Sequence, residues 1–407
     1  MTSPMPLPLE GIRVIDLGQI YNAPYATLLM ALAGADVIKV EPVVGESLRL
    51  RADVARSHGV PFAMLNSNKR SLALDIKSTE GKQILLDLIA GADVLIENFR
   101  PGVADRLGFG SQDMLAANPR LVFASGSGFG QDSDMSDVAA MDLTIQAMAG
   151  VMDITGFPDR EPVKAGPALC DFFGGIHLFG GTMAALVRRE RTGLGSVVDV
   201  AMLDSVYPSM ASNIGMLYGE KVLSSPRTGN RHGGLATSPY NVYPAADGYV
   251  AIIVVAEAHW VNLCNCMGVP EMAVDPRMST PKARVEHMDE VDELVANWTA
   301  NLKRDEVFAI LRQSQVPAAP VRTLDDVVHD PSLHKRGMLV DVDHPHFGEI
   351  VVPHSPIRFV GEERLPIEPS PTLGQHSAEI LAETLGRTAS DVADLMARGV
   401  IACADAT

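Results

Sequence analysis

One carboxylate stands where a segment rich in small residues meets a predicted helix. Asp171 lies in the run Cys170-Asp171-Phe172-Phe173-Gly174-Gly175. A carboxylate can act as a covalent nucleophile, and backbone N–H groups of nearby glycines can face the oxyanion that forms. An acid at the start of a helix is also an ordinary cap, because it accepts hydrogen bonds from the first free N–H groups. The residue alone leaves both interpretations open.

Short β-branched segments alternate with amphipathic segments around this residue. The pattern predicts strands at residues 13–17, 36–40, 94–97 and 121–124, with helices at residues 27–32 and 80–90. This alternation is typical of a parallel sheet with helices outside it, so we predict an α/β protein with a Rossmann-like layer. Ligands of such sheets bind at the carboxyl ends of the strands.

The length of 407 residues exceeds that of one ordinary core, which predicts two domains. A loop-like composition at residues 229–248 marks the boundary region. We predict a large Rossmann-like domain over residues 1–224 and a smaller α+β domain over residues 225–325. Residues 326–407 are predicted to return to the large domain.

Composition narrows the classes of function. A net charge of −17 argues against nucleic acid or an anionic membrane as a partner. No signal-like start and no apolar run of membrane length is evident, so we expect a cytoplasmic protein. Four irregularly spaced cysteines predict neither disulfides nor a metal site. The glycines at 126, 128 and 130 do not fit the dinucleotide motif and no phosphate loop occurs, so no nucleotide cofactor is expected.

Several further motifs follow one another in a fixed order. They are Leu9-Glu10-Gly11 through Asp16, Gly34 through Glu41-Pro42, Asn66 through Lys77, Glu97-Asn98-Phe99-Arg100-Pro101-Gly102, Gly229-Asn230-Arg231-His232, and Leu373-Gly374-Gln375-His376. In this order and spacing the chain resembles the class III CoA-transferases, the formyl-CoA and carnitine CoA-transferase family. The resemblance covers nearly all of the chain. It implies that Asp171 is the covalent nucleophile of a CoA-transferase, and that two chains form an interlocked-ring homodimer.

The resemblance also implies roles for other residues. Asp142 takes the place of a second acid, although it is equally well placed to cap a helix at residues 143–148. Tyr21 and Asn22 are expected at the substrate. Gly233 and Gly234 are expected in a loop that closes over Asp171, although they would equally well form an ordinary surface turn before a strand at Tyr240. The expected contacts with CoA are Leu74, Asp75, Ile76, Lys77, Asn98, Phe99, Arg100 and Arg106. Five cations within residues 66–106 would offset the acidity of the chain near this polyanion: Lys69, Arg70, Lys77, Arg100 and Arg106.

The chemistry sets a physical requirement. A carboxylate of pKa ~3.9 must expel a thiolate whose conjugate acid resembles cysteine at ~8.5, a mismatch of ~4.6 units or ~6 kcal/mol. Exchange of one thioester for another needs no nucleotide. The acceptor acid stays open: Arg49, Arg51 and His58 would suit a dicarboxylate, whereas Tyr21 and Tyr207 would suit an aromatic or apolar acid.

Two alternatives come from other classes of function. An α-methylacyl-CoA racemase needs opposed proton-transfer groups, and in racemases a histidine precedes the acid equivalent to Asp142. Here that position is Met141, which cannot exchange a proton. The second alternative is a non-catalytic acyl-CoA-binding protein that keeps the fold.

Overall fold

The structure, a computed structural model, describes residues 5–218 and 225–404. Strands are named in chain order: β1 (Arg13–Asp16), β2 (Asp36–Glu41), β3 (Arg70–Leu74), β4 (Val94–Glu97), β5 (Val122–Ser127), β6 (Ser196–Ala201), β7 (Tyr240–Ala245), β8 (Gly248–Ile253), β9 (Ala318–Pro320), β10 (Leu339–His344), β11 (Gly348–Pro353) and β12 (Ile401–Ala402).

The α-helices are likewise numbered along the chain. They are α1 (Asn22–Ala31), α2 (Ser47–Leu50), α3 (Val60–Asn66), α4 (Thr79–Ala90), α5 (Val103–Leu107), α6 (Ser111–Ala117), α7 (Asp142–Met148), α8 (Val151–Ile154), α9 (Leu169–Thr192), α10 (Met202–Val206), α11 (Ala211–Met216), α12 (Glu257–Met267), α13 (Pro281–Glu286), α14 (Met288–Thr299), α15 (Arg304–Gln313), α16 (Leu324–Val328), α17 (Pro331–Lys335), α18 (Ser377–Leu385) and α19 (Ala389–Ala397). The predicted strands at residues 13–17, 36–40, 94–97 and 121–124 are confirmed, with shifts of a few residues at their ends.

A seven-stranded sheet has the order β12-β3-β2-β1-β4-β5-β6. Strands β1 to β6 are parallel, and only the short β12 is antiparallel, pairing Ile401 with Leu74. The order 3-2-1-4-5-6 is that of a doubly wound α/β sheet, whose direction of winding reverses between β1 and β4. The predicted α/β fold with a large parallel sheet is therefore confirmed.

Apolar residues cover both faces of this sheet, as parallel strands require. On one face Ile15, Leu95 and Phe123 pack with helices α4, α6, α18 and α19. On the other face Val14 and Ile96 pack with α1 and α9. Serine and glycine set the ends of the helices: the Ser78 hydroxyl accepts the Gly81 N–H at the start of α4, and Gly193 ends α9 with a φ of 74°.

The chain divides into two compact units. The first unit comprises residues 1–145, 167–206 and 330–407, and the second comprises residues 146–166 and 207–329. In the second unit, helices α12, α14 and α15 pack against the antiparallel sheet β7-β8-β9 around Trp260. These boundaries differ from the predicted ones, because residues 146–166 and those from Tyr207 onward belong to the second unit. Local patterns in a sequence show helices and strands but not the distant segments that they contact.

Helix α9 differs from the sequence-based expectation in one further respect. Among the described residues it is one helix that is long and apolar enough, by length and composition, to cross a membrane. No continuous apolar run marks it in the sequence, because glycines, Asp171 and His177 interrupt the run. In the structure α9 packs against α1 and strands β5 and β6, and Cys170, Leu178 and Thr182 are buried there. It occupies the position of a core helix.

Candidate active site

A cavity of about 470 Å³ opens at the carboxyl ends of β1, β4 and β5. The segments that follow these strands form its wall, with Asn22 after β1, Asn98 and Phe99 after β4, and Gly126 within the end of β5. Asp171 and Met202 complete it. This is the point at which the winding of the sheet reverses, where open α/β sheets bind their ligands.

Helix α9 carries Asp171 in its first turn, and the side chain of Asp142 caps that turn. One oxygen of Asp142 accepts the N–H groups of Cys170 at 2.8 Å and of Asp171 at 3.3 Å. Asp142 is the first residue of α7, so a residue of one helix caps the start of another. Two of the free N–H groups at the start of α9 are thereby satisfied. A catalytic role for Asp142 stays a prediction.

The environment of Asp171 disfavours its ionised form. Its side chain is buried, with 7% of the residue exposed. Burial first, and then the charge of Asp142, raise the pKa of Asp171 to about 7. A carboxylate with this pKa lies only ~1.5 units, or ~2 kcal/mol, from a thiol of pKa ~8.5. An ordinary aspartate of pKa ~3.9 would lie ~4.6 units from the same thiol, so the ionised Asp171 is the more basic carboxylate of the two.

The paired glycines have a different role from the expected one. Gly174 and Gly175 lie inside α9, beyond its first turn, so their N–H groups donate within the helix and cannot face an oxyanion. A Cβ at Gly174 would lie 2.1 Å from Asn22 Nδ2, and a Cβ at Gly175 would lie 2.6 Å from the Asn22 carbonyl oxygen. The glycines therefore allow the start of α1 to approach α9 beside Asp171.

Buried charges hold the loop between β1 and α1. Lys69 donates to Asp16 at 3.0 Å and to Thr27 at 2.7 Å, and Thr27 donates to Asp16 at 2.7 Å. Burial alone would raise the pKa of Asp16, but the charges of Lys69 and Lys39 and the hydrogen bond from Thr27 outweigh it and lower the pKa. Lys39 donates to the Gly18 carbonyl at 2.8 Å. These buried hydrogen bonds therefore hold the loop that leads from β1 into the cavity.

Residues after β4 hold the same loop from the side. The Asn98 side chain accepts the Gln19 N–H at 2.8 Å and donates to the Gln19 carbonyl at 2.9 Å. Sequence reasoning missed Glu97, whose buried carboxyl accepts the Phe99 N–H at 2.7 Å and the Ser125 hydroxyl. Burial raises the pKa of Glu97 to about 7. The signal in the sequence was an acid at the end of a strand that is otherwise apolar.

The predicted CoA contacts fall into three groups. The side chains of Leu74 and Ile76 belong to the core or pack against it, so contact with a ligand there would come from the backbone. Asn98, Phe99 and Arg100 line the cavity beside Asp171. Asp75 follows β3 and accepts the Lys77 N–H at 3.1 Å, and Lys77 and Arg106 are exposed. Their contact with CoA stays a prediction.

Of the five predicted cations, Arg100 donates to the carbonyl oxygen of Asp137, and Lys69 and Arg70 pair with acidic residues of the protein. Lys69 is buried against Asp16. Arg70 donates to Asp36 at 2.8 Å and pairs with Glu379 and Glu383. The expectation that these two would face a polyanionic ligand was wrong, because a side chain at the end of a buried strand finds its counterion inside the fold.

The residues predicted to contact the substrate do not all line the cavity. Asn22 lines the cavity, whereas Tyr21 stacks on Phe172 with 6.0 Å between ring centroids and does not line it. Arg49 is held by both oxygens of Glu41 at 2.8 and 2.9 Å, and it lies over the Phe62 ring. Arg51 and Tyr207 are exposed, and the side chain of His58 lies outside the described part of the chain.

Gly233 and Gly234 belong to the second unit, in a loop held by its own contacts. The His232 ring accepts the Gly234 N–H at 3.1 Å, and Arg231 donates to Asp292 at 2.7 Å. A Cβ at Gly233 would lie 2.7 Å from the Asn213 side chain. These contacts account for the local need for glycine. Closure of this loop over Asp171 stays a prediction.

The fold and the cavity together define an α/β protein with a buried carboxylate at the switch point of a parallel sheet. Residues 9–377 match the model of CoA-transferase family III, and the chain belongs to that family. The prediction of a transferase of this family from the sequence is confirmed.

Named relatives extend over the whole chain. It is 36% identical to the formyl-CoA:oxalate CoA-transferase of Streptomyces avermitilis, over 97% of this chain and 99% of that protein. It is also 36% identical to the succinate–glutarate CoA-transferase of Agrobacterium fabrum, over 94% of this chain and 98% of the relative. A crystal structure of a CAIB/BAIF family protein from Brucella suis matches with a TM-score of 0.80 at 34% identity, covering 93% of this chain and 99% of that one.

Proposed function

We propose that the protein moves CoA from an acyl-CoA donor to a free carboxylic acid through covalent intermediates on Asp171. The observation that carries this proposal is the position and environment of Asp171. It lines the cavity at the switch point, and burial beside Asp142 raises its pKa to about 7. The relatives, which are named as transferring CoA between carboxylic acids, support the same activity.

The chemical steps begin with the ionised Asp171. Its oxygen attacks the thioester carbonyl, the C–S bond breaks, and CoA leaves as the thiolate. The product is a mixed anhydride. The thiolate then attacks the aspartyl carbonyl, which releases the donor acid as a carboxylate and leaves an aspartyl-CoA thioester. An acceptor carboxylate attacks that carbonyl and expels the thiolate, which attacks the acyl carbonyl of the second anhydride and restores Asp171.

Binding of CoA would use groups that lie apart from the nucleophile. Asn98, Phe99 and Arg100 line the cavity, and the exposed Lys77 and Arg106 are suited to the phosphates of CoA. Leu74, Asp75 and Ile76 would contribute backbone contacts at the end of β3. Binding energy from this distant part of CoA would hold the thioester against Asp171. Closure of the loop with Gly233 and Gly234 would keep water from the anhydride.

A trapping experiment tests the proposal. Hydroxylamine added after an acyl-CoA donor should convert Asp171 into a hydroxamate, located by mass spectrometry, and should inactivate the protein. The Asp171→Ala variant should lose transfer by at least ~10³-fold and give no hydroxamate. Native transfer rates in that variant would refute the proposal.

The alternatives give different results in the same assay. An α-methylacyl-CoA racemase would exchange the α-hydrogen of a 2-methylacyl-CoA with deuterated water when no acceptor acid is present. A non-catalytic acyl-CoA-binding protein would bind the donor and form no hydroxamate. Met141 beside Asp142 gives the racemase no second proton-transfer group at that position.

We further infer a homodimer of interlocked rings located in the cytoplasm. The resemblance to the family supports the ring arrangement, and residues 330–407 group with residues 1–145 after the second unit intervenes. Sedimentation analysis of the purified protein measures the number of chains. A monomer at assay concentrations would contradict the dimer, and fractionation of cells that express the protein tests its location.

A further inference from the structure

Asn22 presents a buried hydrogen-bond acceptor beside Asp171. Only 2% of the residue is exposed, and its Nδ2 donates to the backbone carbonyl of Asp171 at 3.3 Å. That bond fixes which end of the amide is nitrogen. Among the described residues, none donates a hydrogen bond to the Asn22 Oδ1. A buried acceptor without a donor is costly, so its presence requires a partner.

Two glycines make room for this side chain. A Cβ at Gly174 would lie 2.1 Å from Asn22 Nδ2, and a Cβ at Gly126 would lie 2.4 Å from Asn22 Oδ1. Asn22 and Gly126 both line the cavity that Asp171 lines. The carboxamide is thus held between α9 and the end of β5, with its oxygen on the side of Gly126.

The chemistry of the reactants selects the partner of this oxygen. A carboxylate and a thioester carbonyl carry only acceptors, so neither can donate to Oδ1. In an acyl-CoA the nearest donor to the reacting carbon is the amide N–H of the cysteamine unit, two methylene groups from the sulfur. Asp171 must be ionised to attack the thioester, so it offers Oδ1 no proton in the reactive complex, and the cysteamine N–H is then the donor that a bound thioester supplies.

We propose that the Asn22 carboxamide oxygen accepts a hydrogen bond from the cysteamine amide N–H of the bound thioester. Asn22 is then a residue that determines specificity for CoA thioesters, and its Nδ2 ties that recognition to the backbone of the nucleophile. This inference rests on the proposed function, because it assumes that the thioester binds at Asp171.

Binding without turnover tests the inference. In the Asp171→Ala background, calorimetry compares acetyl-CoA with an analogue in which an ester oxygen replaces the cysteamine N–H. The background protein should prefer acetyl-CoA by about 10- to 100-fold, since the analogue leaves Oδ1 unpaired. Adding Asn22→Leu, which keeps the volume and removes the acceptor, should reduce this preference to within about 2-fold. An unchanged preference would overturn the inference.

A second pair of variants leaves Asn22 in place. Gly126→Ala sets a methyl group against Oδ1 and should also abolish the preference. Gly181→Ala is the matched control, because its Cβ would meet Cγ1 of Val198 at 2.8 Å and Gly181 is not among the residues that line the cavity. It should keep the preference. Equal preferences in both glycine variants would show that Oδ1 does not receive the N–H.

Two further outcomes are distinguishable. If Asn22→Leu instead lowers affinity for 3-hydroxybutyryl-CoA relative to butyryl-CoA, Oδ1 receives an acyl hydroxyl group and the inference is wrong. If the preference behaves as expected but the native protein transfers no CoA, the proposed function fails and the recognition of the amide stands.

Discussion

Asp16 and Asp171 are two buried aspartates of one unit, near the carboxyl edge of the same sheet. Asp16 accepts the Gly18 N–H at 2.7 Å, the Thr27 hydroxyl and the Lys69 ammonium, and its pKa is lowered. Asp171 faces the cavity beside the negative charge of Asp142, and its pKa is raised to about 7. Burial acts in the same direction on both carboxyl groups, so their partners decide the outcome.

This difference is the one expected between a structural acid and the nucleophile that we propose Asp171 to be. Two lysines and neighbouring hydrogen-bond donors compensate the charge of Asp16. Asp16 thereby holds the loop that leads to Asn22. The charge of Asp171 is costly in the folded protein, and covalent attachment of an acyl group would remove that charge. Buried charges without compensation are characteristic of functional sites. Substitution of either residue or of its charged partner tests this comparison.

The largest effect is expected when Asp16 loses its cation. Lys69→Met keeps the length of the side chain and removes the ammonium group that is hydrogen-bonded to the buried Asp16, which should lower the free energy of unfolding by ~3–5 kcal/mol. Urea denaturation at pH 7 measures it. The double variant Asp16→Asn with Lys69→Met removes both charges and should recover more than half of the loss. A loss below ~1 kcal/mol in the single variant would make this pair no more important than a surface ion pair.

At Asp171, by contrast, removal of the charge is expected to raise the free energy of unfolding. Folding raises its pKa from 3.8 to about 7, so the folded protein holds a proton that the unfolded chain releases, and stability falls as pH rises between these values. The full shift corresponds to ~4 kcal/mol, and relaxation around the charge reduces the expected cost to about 1–2 kcal/mol. Asp171→Asn should therefore stabilise the protein by that amount at pH 8 and by almost nothing at pH 4. A loss of stability at pH 8 would contradict the claim that the ionised Asp171 destabilises the folded protein.

The sequence sufficed to predict the sheet, and it singled out Asp171, which lines the cavity at the edge of that sheet. The β-branched runs at residues 13–17 and 94–97 specify buried parallel strands, because they are apolar on both faces. Asp171 could be identified from its neighbours and from the resemblance to a family. These signals come from residues that are close together in the sequence, and the same residues form β1, β4 and the start of α9 in the structure.

The sequence could not show which polar groups meet across the fold. Lys69 and Asp16 are 53 residues apart, and Asp142 reaches α9 across 28 residues. The glycines at 174 and 175 were expected to present N–H groups, whereas they admit Asn22 from a helix about 150 positions away in the chain. Such roles depend on packing distances of less than 3 Å, which no spacing of residues in the sequence encodes.

The smallest effect is expected from removing the like charge beside Asp171. Asp142→Asn keeps a good capping group for α9, since asparagine and aspartate cap helices about equally well. The change removes the repulsion that contributes to the raised pKa of Asp171. In the native protein kcat/KM should fall with decreasing pH around pH 7 as Asp171, the proposed nucleophile, takes up a proton, and in the variant this limb should move to lower pH by roughly one unit. Asp142→Ala is the matched comparison, because it should move the limb equally and also cost ~1 kcal/mol of stability through loss of the cap. If the limb stays near pH 7 in both variants, burial alone sets the pKa of Asp171. Asp142 would then act only on structure, by capping α9, just as Thr27 and Lys69 act by holding the loop after β1 through Asp16.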